Sequence, residues 1–215
     1  MKGCEMIRPL LITSMLLLAS CGPKTLALPD QPVDRAATCG VIAAQSARLA
    51  THDIQASLPF DAMGRIIHYP LLAGSAGGSF SSEVASQVQT RMSELQDRIS
   101  EAKWQELIPA CRTAFPASAV EQVKLPADSF DAQLGCVELG DFLSSALEKQ
   151  AEYGNELAEY RAFNRKLEAK LTAGLRSRAG PELSARIEER HKALARIAQA
   201  GAPVAVMQEC LARFE

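Results

Sequence analysis

The chain has 215 residues, of which 47% are hydrophobic, and this is enough apolar material for one domain or two small ones. Its 23 basic and 25 acidic residues give a formal net charge of −2. Without an excess of positive charge for phosphate groups, a nucleic-acid partner is not expected. Aromatic residues make up only 5% of the chain. Because strands favour aromatic and β-branched residues, the composition favours an all-α fold.

The first twenty residues have the three parts of a secretory signal peptide. Lys2 and Arg8 supply positive charge, a largely apolar run follows at residues 10–18, and small residues come next. The apolar run is shorter than the roughly 20 residues that a membrane-spanning helix needs. We therefore expect residues 1–20 to be an export signal that is removed by cleavage.

The end of this segment resembles the lipobox of bacterial lipoproteins, which the chain matches as Leu18-Ala19-Ser20-Cys21. The resemblance implies a diacylglycerol thioether on Cys21 and cleavage on its N-terminal side. In enterobacterial lipoproteins an aspartate after this cysteine signals inner-membrane retention, and here the position is Gly22. The resemblance thus implies a lipid-anchored protein of the bacterial envelope, on the outer membrane and facing the periplasm. The alternative is an ordinary signal peptide with a cysteine at its junction.

A tether and then a helical domain are predicted after the signal. Residues 21–33 hold the lipidated cysteine and several prolines without apolar periodicity, so we expect a flexible connection. The helical domain is expected over residues 34–215. Its first helix is predicted from an N-cap at Asp34 to about residue 52, with Leu49 on the buried face. A shorter second helix is expected to end near Pro70, since the residue before a proline avoids helical angles.

Longer helices are predicted beyond the glycine-rich connector at residues 74–79. One has apolar residues at steps of mostly three and four from Val84 to Ile108 and is expected to end at Pro109. The next keeps a helical period from Leu134 to Leu175. The last part of the chain has a further apolar stripe, which includes Leu183, Ile187, Leu194 and Ile197. About four main helices with short additional ones predict an antiparallel helical bundle.

Four cysteines remain after Cys4 and Cys21 are assigned to the signal and the lipid: Cys39, Cys111, Cys136 and Cys210. An even number in an oxidising compartment predicts two disulfides. In an up-down-up-down bundle all four would lie near helix ends on the same side. We favour Cys39–Cys111 and Cys136–Cys210, because each pair would join one helical hairpin at its open end.

The second of these pairs needs a change in helix direction. The helical segment from Cys136 to the turn at Gly180 is longer than the segment from that turn to Cys210. At 1.5 Å per residue the two segments differ in length by roughly 20 Å. Either the third helix bends near Gly140 or Gly154, or the pairs are Cys39–Cys210 and Cys111–Cys136. No two cysteines have the close spacing of a tetrahedral zinc site, so we expect no metal.

Motifs of catalysis are missing from the sequence: it has no Gly-x-Ser-x-Gly and no His-Glu-x-x-His. The three histidines, His52, His68 and His191, are far apart, and we expect each at the surface or at a helix end. The sequence therefore predicts a non-enzymatic envelope lipoprotein without a cofactor. Its expected partners are the membrane, through the lipid, and an envelope protein, and its expected role is protein contact or envelope maintenance.

The alternative prediction is a periplasm-facing bundle that binds a small apolar ligand between its helices. Tyr153, Tyr160 and Phe163 would line that ligand, because they recur at helical spacing on one segment. A large apolar cavity with converging polar groups would favour this function.

Overall fold

The computed structural model describes residues 27–51 and 56–214, and the chain is helical there, without any strand in those ranges. The predicted signal peptide, Cys21 and His52 lie outside the described residues. Eight α-helices follow along the described chain: α1 (Pro32–Ala50), α2 (Phe60–Gly74), α3 (Ser82–Ser100), α4 (Ile108–Ala114), α5 (Ser129–Leu147), α6 (Gly154–Ala179), α7 (Leu183–Ile197) and α8 (Pro203–Phe214). Short 3-10 helices lie at Trp104–Leu107, Pro116–Ala119, Ala151–Tyr153 and Ala198–Ala200. The predicted all-α class is confirmed.

The helices form two halves, each with its own core cluster. The first half is α1–α4, whose buried residues include Val41, Ile99 and Trp104. The second half is α5–α8, whose buried residues include Leu139 and Met207. Among the described residues, no helix is both long and apolar enough to cross a membrane.

Helix α2 contributes to both core clusters. Tyr69 belongs to the first cluster, whereas Ile67 and Leu71 belong to the second. All seven residues of α2 from 66 to 72 are buried. A helix that is apolar on every side is buried on every side. Helix α2 is therefore the central element that the two halves share.

The prediction that the second helix ends near Pro70 was wrong, because α2 continues through Pro70 to Gly74. An interior proline costs about 3 kcal/mol in a helix, since it removes one backbone hydrogen bond and crowds the preceding turn. Burial of the surrounding apolar residues on both sides of α2 offsets this cost. The local rule failed because the tertiary environment outweighs it.

The first helix also begins earlier than predicted. Its N-cap is Gln31 rather than Asp34, and Pro32 lies in the first turn, where a missing N–H is tolerated. Asp34 instead accepts a hydrogen bond from Arg91 Nε at 2.6 Å, which joins α1 to α3.

Both long predicted helices are interrupted. The first stops at Ser100, and Pro109 lies in the first turn of α4 rather than at a helix end. The second splits into α5 and α6, with α6 beginning at Gly154. Helix α6 runs back along α5, since Asn164 Nδ2 donates to the Val137 carbonyl and Arg178 reaches Asp128. The change of direction lies between Leu147 and Gly154, next to one of the two positions expected.

The two favoured disulfides are confirmed. Cys39 and Cys111 are bonded with their Cα atoms 5.5 Å apart, and Cys136 and Cys210 with theirs 5.9 Å apart. The pairs belong to different core clusters, so they do not share the one end of a single bundle that the sequence suggested. Each half therefore has its own covalent link between distant helices.

Three apolar residues that the helical period assigned to buried stripes are exposed. Leu49 is 70% exposed at the end of α1, and Leu183 and Ile187 are 64% and 43% exposed on α7. Helix α7 is buried through its second part, where Ala193 and Leu194 belong to the second core cluster. Periodicity identifies a helix face but does not show whether a neighbouring helix covers its whole length.

Candidate functional site

The three aromatic residues predicted to line a ligand lie together in the second core cluster. Tyr153, Tyr160 and Phe163 are 4%, 3% and 1% exposed. The ring of Phe60 packs against both tyrosines, with centroid distances of 5.3 Å and 5.9 Å. The Tyr153 hydroxyl donates a hydrogen bond to the Leu58 carbonyl, and burial raises the pKa of Tyr160. These are contacts of a packed core, and a ligand site between the rings stays a prediction.

His68 is one of the few buried polar residues of the described chain. It lies in the middle of α2 and is only 1% exposed, so the expectation of a surface or helix-end position was wrong. Its Nε2 lies 2.8 Å from the carbonyl oxygen of Ala198, which belongs to the link between α7 and α8. The side chain therefore reaches from the first half of the molecule to the second.

The hydrogen bond to Ala198 determines which nitrogen of His68 carries the proton. A carbonyl oxygen only accepts, so Nε2 is protonated and donates, and Nδ1 keeps its lone pair. Nδ1 is buried and has no hydrogen-bond partner within the described part of the chain. Burial lowers the pKa of His68 to about 4, although the bond to Ala198 opposes the shift. The ring is therefore neutral at pH 7, with one unused acceptor.

His68 lies in the wall of a cleft of about 330 Å³ between α1, α2 and α4, which we call the His68 cleft. Its apolar wall comes from both α1 and α4 and includes Ile42, Ala47 and Ile108. Tyr69 and Ser118 add hydroxyl groups, with Oη and Oγ 3.5 Å apart. The cleft thus combines an apolar surface with a few polar atoms, as ligand sites commonly do.

Positive charge predominates among the charged residues of the cleft, which are Asp61, Arg65 and Arg112. Arg65 Nε lies 2.8 Å from the Asp61 carboxylate, and both side chains are about half exposed. Arg112 is exposed and has no ion-pair partner within residues 27–51 and 56–214. One guanidinium group therefore remains available for an anion.

The first disulfide holds this cleft together. Cys111 is one of its lining residues, and its bond to Cys39 fixes α4 against α1. Both half-cystines are buried, at 2% and 0% exposure. Two walls of the cleft are therefore joined covalently, which limits how far they can separate.

The sequence contained a signal for the burial of His68 that the prediction did not use. The residues around it read Ile66-Ile67-His68-Tyr69-Pro70-Leu71-Leu72, an almost continuous apolar run. Such a run is typical of an element that is buried on all sides, so a histidine within it is buried too. The partner Ala198, 130 residues away, has no comparable signal.

A second polar cluster lies on α5, α6 and α7. Arg190 donates hydrogen bonds to Glu138 and to Glu168, and it thereby connects all three helices. The Glu138 side chain is only 14% exposed. Burial raises the pKa of Glu138, whereas the guanidinium group of Arg190 opposes the rise. The cluster is a partly buried ionic triad, in which one guanidinium group lies between two carboxylates.

Replacing Arg190 by methionine is expected to destabilise the protein by about 2–3 kcal/mol at pH 8, because Glu138 would keep a buried charge without its cation. The variant raises the folded-state pKa of Glu138 further above its unfolded value. The carboxyl group therefore becomes protonated and neutral in the folded state as the pH falls, and the loss is expected to be smaller at pH 5. Urea unfolding at the two pH values measures this difference.

The double variant Arg190→Met/Glu138→Gln is the matched control, since it removes the buried Glu138 charge together with the arginine. It is expected to recover most of the stability at pH 8. A loss that is equal at both pH values would show that the packing of the Arg190 side chain, and not its charge, is what matters.

No group of three or more histidine, cysteine, aspartate or glutamate side chains in the described residues is arranged to hold a metal ion. Comparison with known proteins finds no matching family model, no matching curated protein and no matching solved structure.

Proposed function

We propose that the protein is an exported bacterial lipoprotein whose disulfide-bonded helical domain is held at the membrane by a lipid on Cys21. The observation that carries this proposal is the pair of buried disulfides, Cys39–Cys111 and Cys136–Cys210. Disulfides of this structural kind form and persist in oxidising compartments such as the periplasm and are rare in the cytosol. The disulfides therefore support export, independently of the signal-like first segment.

The lipobox-like sequence supplies the second support. Leu18-Ala19-Ser20-Cys21 follows a charged and then apolar segment, as in an export signal. Helix α1 begins at Pro32, so ten residues separate it from Cys21. A fully extended segment of this length reaches about 35 Å. A lipid on Cys21 would thus keep the domain close to the membrane surface, and Gly22 favours the outer membrane, facing the periplasm.

For the domain itself we propose a non-enzymatic role in protein contacts or envelope maintenance. The support comes from the sequence, which resembles that of an envelope lipoprotein at its start and has no Gly-x-Ser-x-Gly and no His-Glu-x-x-His motif. A lipid anchor also suits a protein that works at a fixed place, because two or more acyl chains hold a protein on a bilayer almost permanently.

The variant Cys21→Ser is expected to lose lipid attachment completely, because a hydroxyl group does not replace the thiol that forms the thioether. Metabolic labelling with a palmitate analogue, followed by purification of this protein, is the measurement. The wild-type chain should carry the label and fractionate with membranes, whereas the variant should carry none.

The matched control is Cys4→Ser, which changes a cysteine that precedes the proposed cleavage site. This variant should be labelled as the wild type is. Label that persists in Cys21→Ser at the wild-type level would exclude the lipoprotein function. An unlabelled wild-type chain with both disulfides intact would keep export and exclude only the lipid.

A further inference from the structure

The junction between the two halves of the molecule contains a buried histidine. His68 of α2 belongs to the first half, and its Nε2–H donates to the Ala198 carbonyl of the second half at 2.8 Å. We propose that His68 makes this junction sensitive to acid: the neutral ring holds α2 against the link at Ala198–Ala200, and a protonated ring drives the two halves apart. This device goes beyond the lipoprotein function, since it depends on α2 and not on Cys21.

The closed junction has no place for the charged form of the ring. Protonation gives Nδ1 an N–H of its own, while the N–H of Nε2 is already used on Ala198. Nδ1 of His68 has under 1 Å² of accessible surface and no hydrogen-bond partner in the described part of the chain. A buried N–H without an acceptor and a buried charge without a counterion are both unfavourable. The proton is therefore held stably only after the ring leaves the junction.

The charges around His68 do not compensate for a proton on the ring. Arg65 lies one turn away on α2, and its positive charge opposes protonation of His68. Asp61 is about half exposed and already paired with Arg65, and α4 contributes Arg112 to the cleft beside the ring. The buried residues of α1, α7, α8 and the Ala198–Ala200 link are all uncharged. In the described surroundings a charged ring thus meets neighbouring cations and no unpaired carboxylate.

Few other links hold the two halves together. Among the described residues, no disulfide and no ion pair crosses from one half to the other. The hydrogen bonds that do cross include those of the Phe80 N–H to the His191 carbonyl and of the Tyr153 hydroxyl to the Leu58 carbonyl. Much of the junction is the apolar packing of α2, whose residues 66–72 are all buried. Opening would therefore expose apolar surface of α2 without breaking a covalent bond.

The carboxyl groups at the junction do not account for such an opening. Glu138 and Asp141 line a second cleft, between α3, α5 and α7, together with His191. Burial raises the pKa of Glu138, and opening would return this group to water, so its titration favours the closed form as the pH falls. Glu152 accepts a hydrogen bond from Ser57 across the junction, but it is exposed and its charge is screened by water. Opening by acid therefore depends on the buried histidine.

The pH window follows from the uptake of one proton by His68. Burial lowers the pKa of the ring from 6.5 to about 4 in the closed form. In the open form the ring faces water and keeps its ordinary pKa, so between pH 6.5 and about 4 the open form holds a proton that the closed form lacks. The open population is expected to rise about tenfold per pH unit in this window, about 300-fold in all, and to level off below it.

Amide hydrogen exchange of the full oxidised chain in detergent micelles, with phenylalanine labelled by ¹⁵N, measures this opening. The amide of Phe80 reports the junction, because it donates to His191 across it. The amide of Phe163, in the middle of α6, reports unfolding of the second half. After correction for the chemical exchange rate at each pH, the protection of Phe80 is expected to fall about 300-fold between pH 6.5 and pH 4, whereas Phe163 should stay protected.

Two histidine variants isolate the titrating group. His68→Gln removes it, and the new side chain can keep one N–H for the Ala198 carbonyl. This variant is expected to lose the fall in Phe80 protection. The matched control is His191→Gln, which changes a partly exposed histidine of α7 whose backbone carbonyl, and not its ring, accepts from Phe80. Because the backbone is retained, the control should show the same fall as wild type.

The proposal is overturned if Phe80 stays protected down to pH 4, or if Phe163 loses protection in step with it, because the halves would then not part as units. An equal fall in wild type and His68→Gln would assign the response to other groups and would also overturn it. Should His68→Gln fail to fold, ¹⁵N-labelled histidine in the wild type decides the matter. The ring of His68 must gain its proton together with the loss of Phe80 protection, and a ring that is protonated while Phe80 stays protected excludes an acid-sensitive junction.

Discussion

The double variant Cys136→Ala/Cys210→Ala is expected to lose about 4 kcal/mol of unfolding free energy. The bridge joins residues 74 apart in sequence, and the chain-entropy relation gives about this value for a closed loop of that length. Folded domains are typically stable by only about 5–15 kcal/mol, so the loss is a large fraction of the total. For a domain of this size it corresponds to a fall in Tm of roughly 8–16 °C.

Urea unfolding followed by far-UV circular dichroism measures this loss in the exported protein. The variant Cys39→Ala/Cys111→Ala is the natural comparison, because its bridge spans 72 residues and the entropic loss should be nearly the same. Wild-type protein in a strong reductant should approach the stability of a variant that lacks both bridges. If the reductant had no effect on the unfolding midpoint, the disulfides would not contribute about 4 kcal/mol each to stability.

Replacing Phe163 by alanine is expected to destabilise the protein by about 3–5 kcal/mol, the range for buried aromatic rings. Phe163 is 1% exposed and lies in the second core cluster, so its removal leaves a cavity that the surrounding helices fill only in part. The same urea titration is the measurement.

The control for this prediction is Leu183→Ala on α7, which the sequence also assigned to a buried stripe. Leu183 is 64% exposed, so its replacement is expected to change the stability by less than about 0.5 kcal/mol. A stability of Phe163→Ala close to that of wild type would contradict the core position of the ring. It would then support the alternative function, in which Phe163 lines a ligand.

The fold class and the disulfide pairs were predictable because both depend on simple regularities of sequence. Apolar residues at helical spacing indicate helices without any knowledge of the tertiary structure. The even number of cysteines predicted two bridges, and the assumption of one bridge per helical hairpin favoured Cys39–Cys111 and Cys136–Cys210. The mismatch in arm length left two possibilities, a bend near Gly140 or Gly154 or the other pairing, and the structure changes direction between Leu147 and Gly154. Arithmetic on helix lengths therefore carried information about the tertiary arrangement.

Local rules did not predict where the prolines lie relative to the helix ends. Pro70 lies inside a helix and Pro109 lies in the first turn of one, although both were expected to end helices. Whether a proline ends a helix depends on how much burial the continued helix gains, and that depends on segments far along the chain. The exposure of Leu183 has the same origin, since coverage of a helix face is decided by its neighbours.

The His68 cleft was also beyond prediction from the sequence, for a related reason. Its walls come from three helices, and the hydrogen bond that fixes the His68 tautomer comes from a residue 130 positions away. The apolar run around His68 indicates burial, but no local pattern indicates which nitrogen is left without a partner. The cleft is thus assembled by contacts of long sequence separation.

The two disulfides do not cross-link the two halves of the molecule to each other. Of the four bonded cysteines, two lie in each half, so no bridge links α1–α4 to α5–α8. The halves are joined covalently by one stretch of backbone, which includes the exposed Glu121 and Gln122 between Ala119 and Ser129. A protease that cuts there would leave two pieces, each internally cross-linked. Non-covalent contacts would keep the pieces associated, among them the packing of α2 and the hydrogen bonds of His68 to Ala198 and of Tyr153 to Leu58.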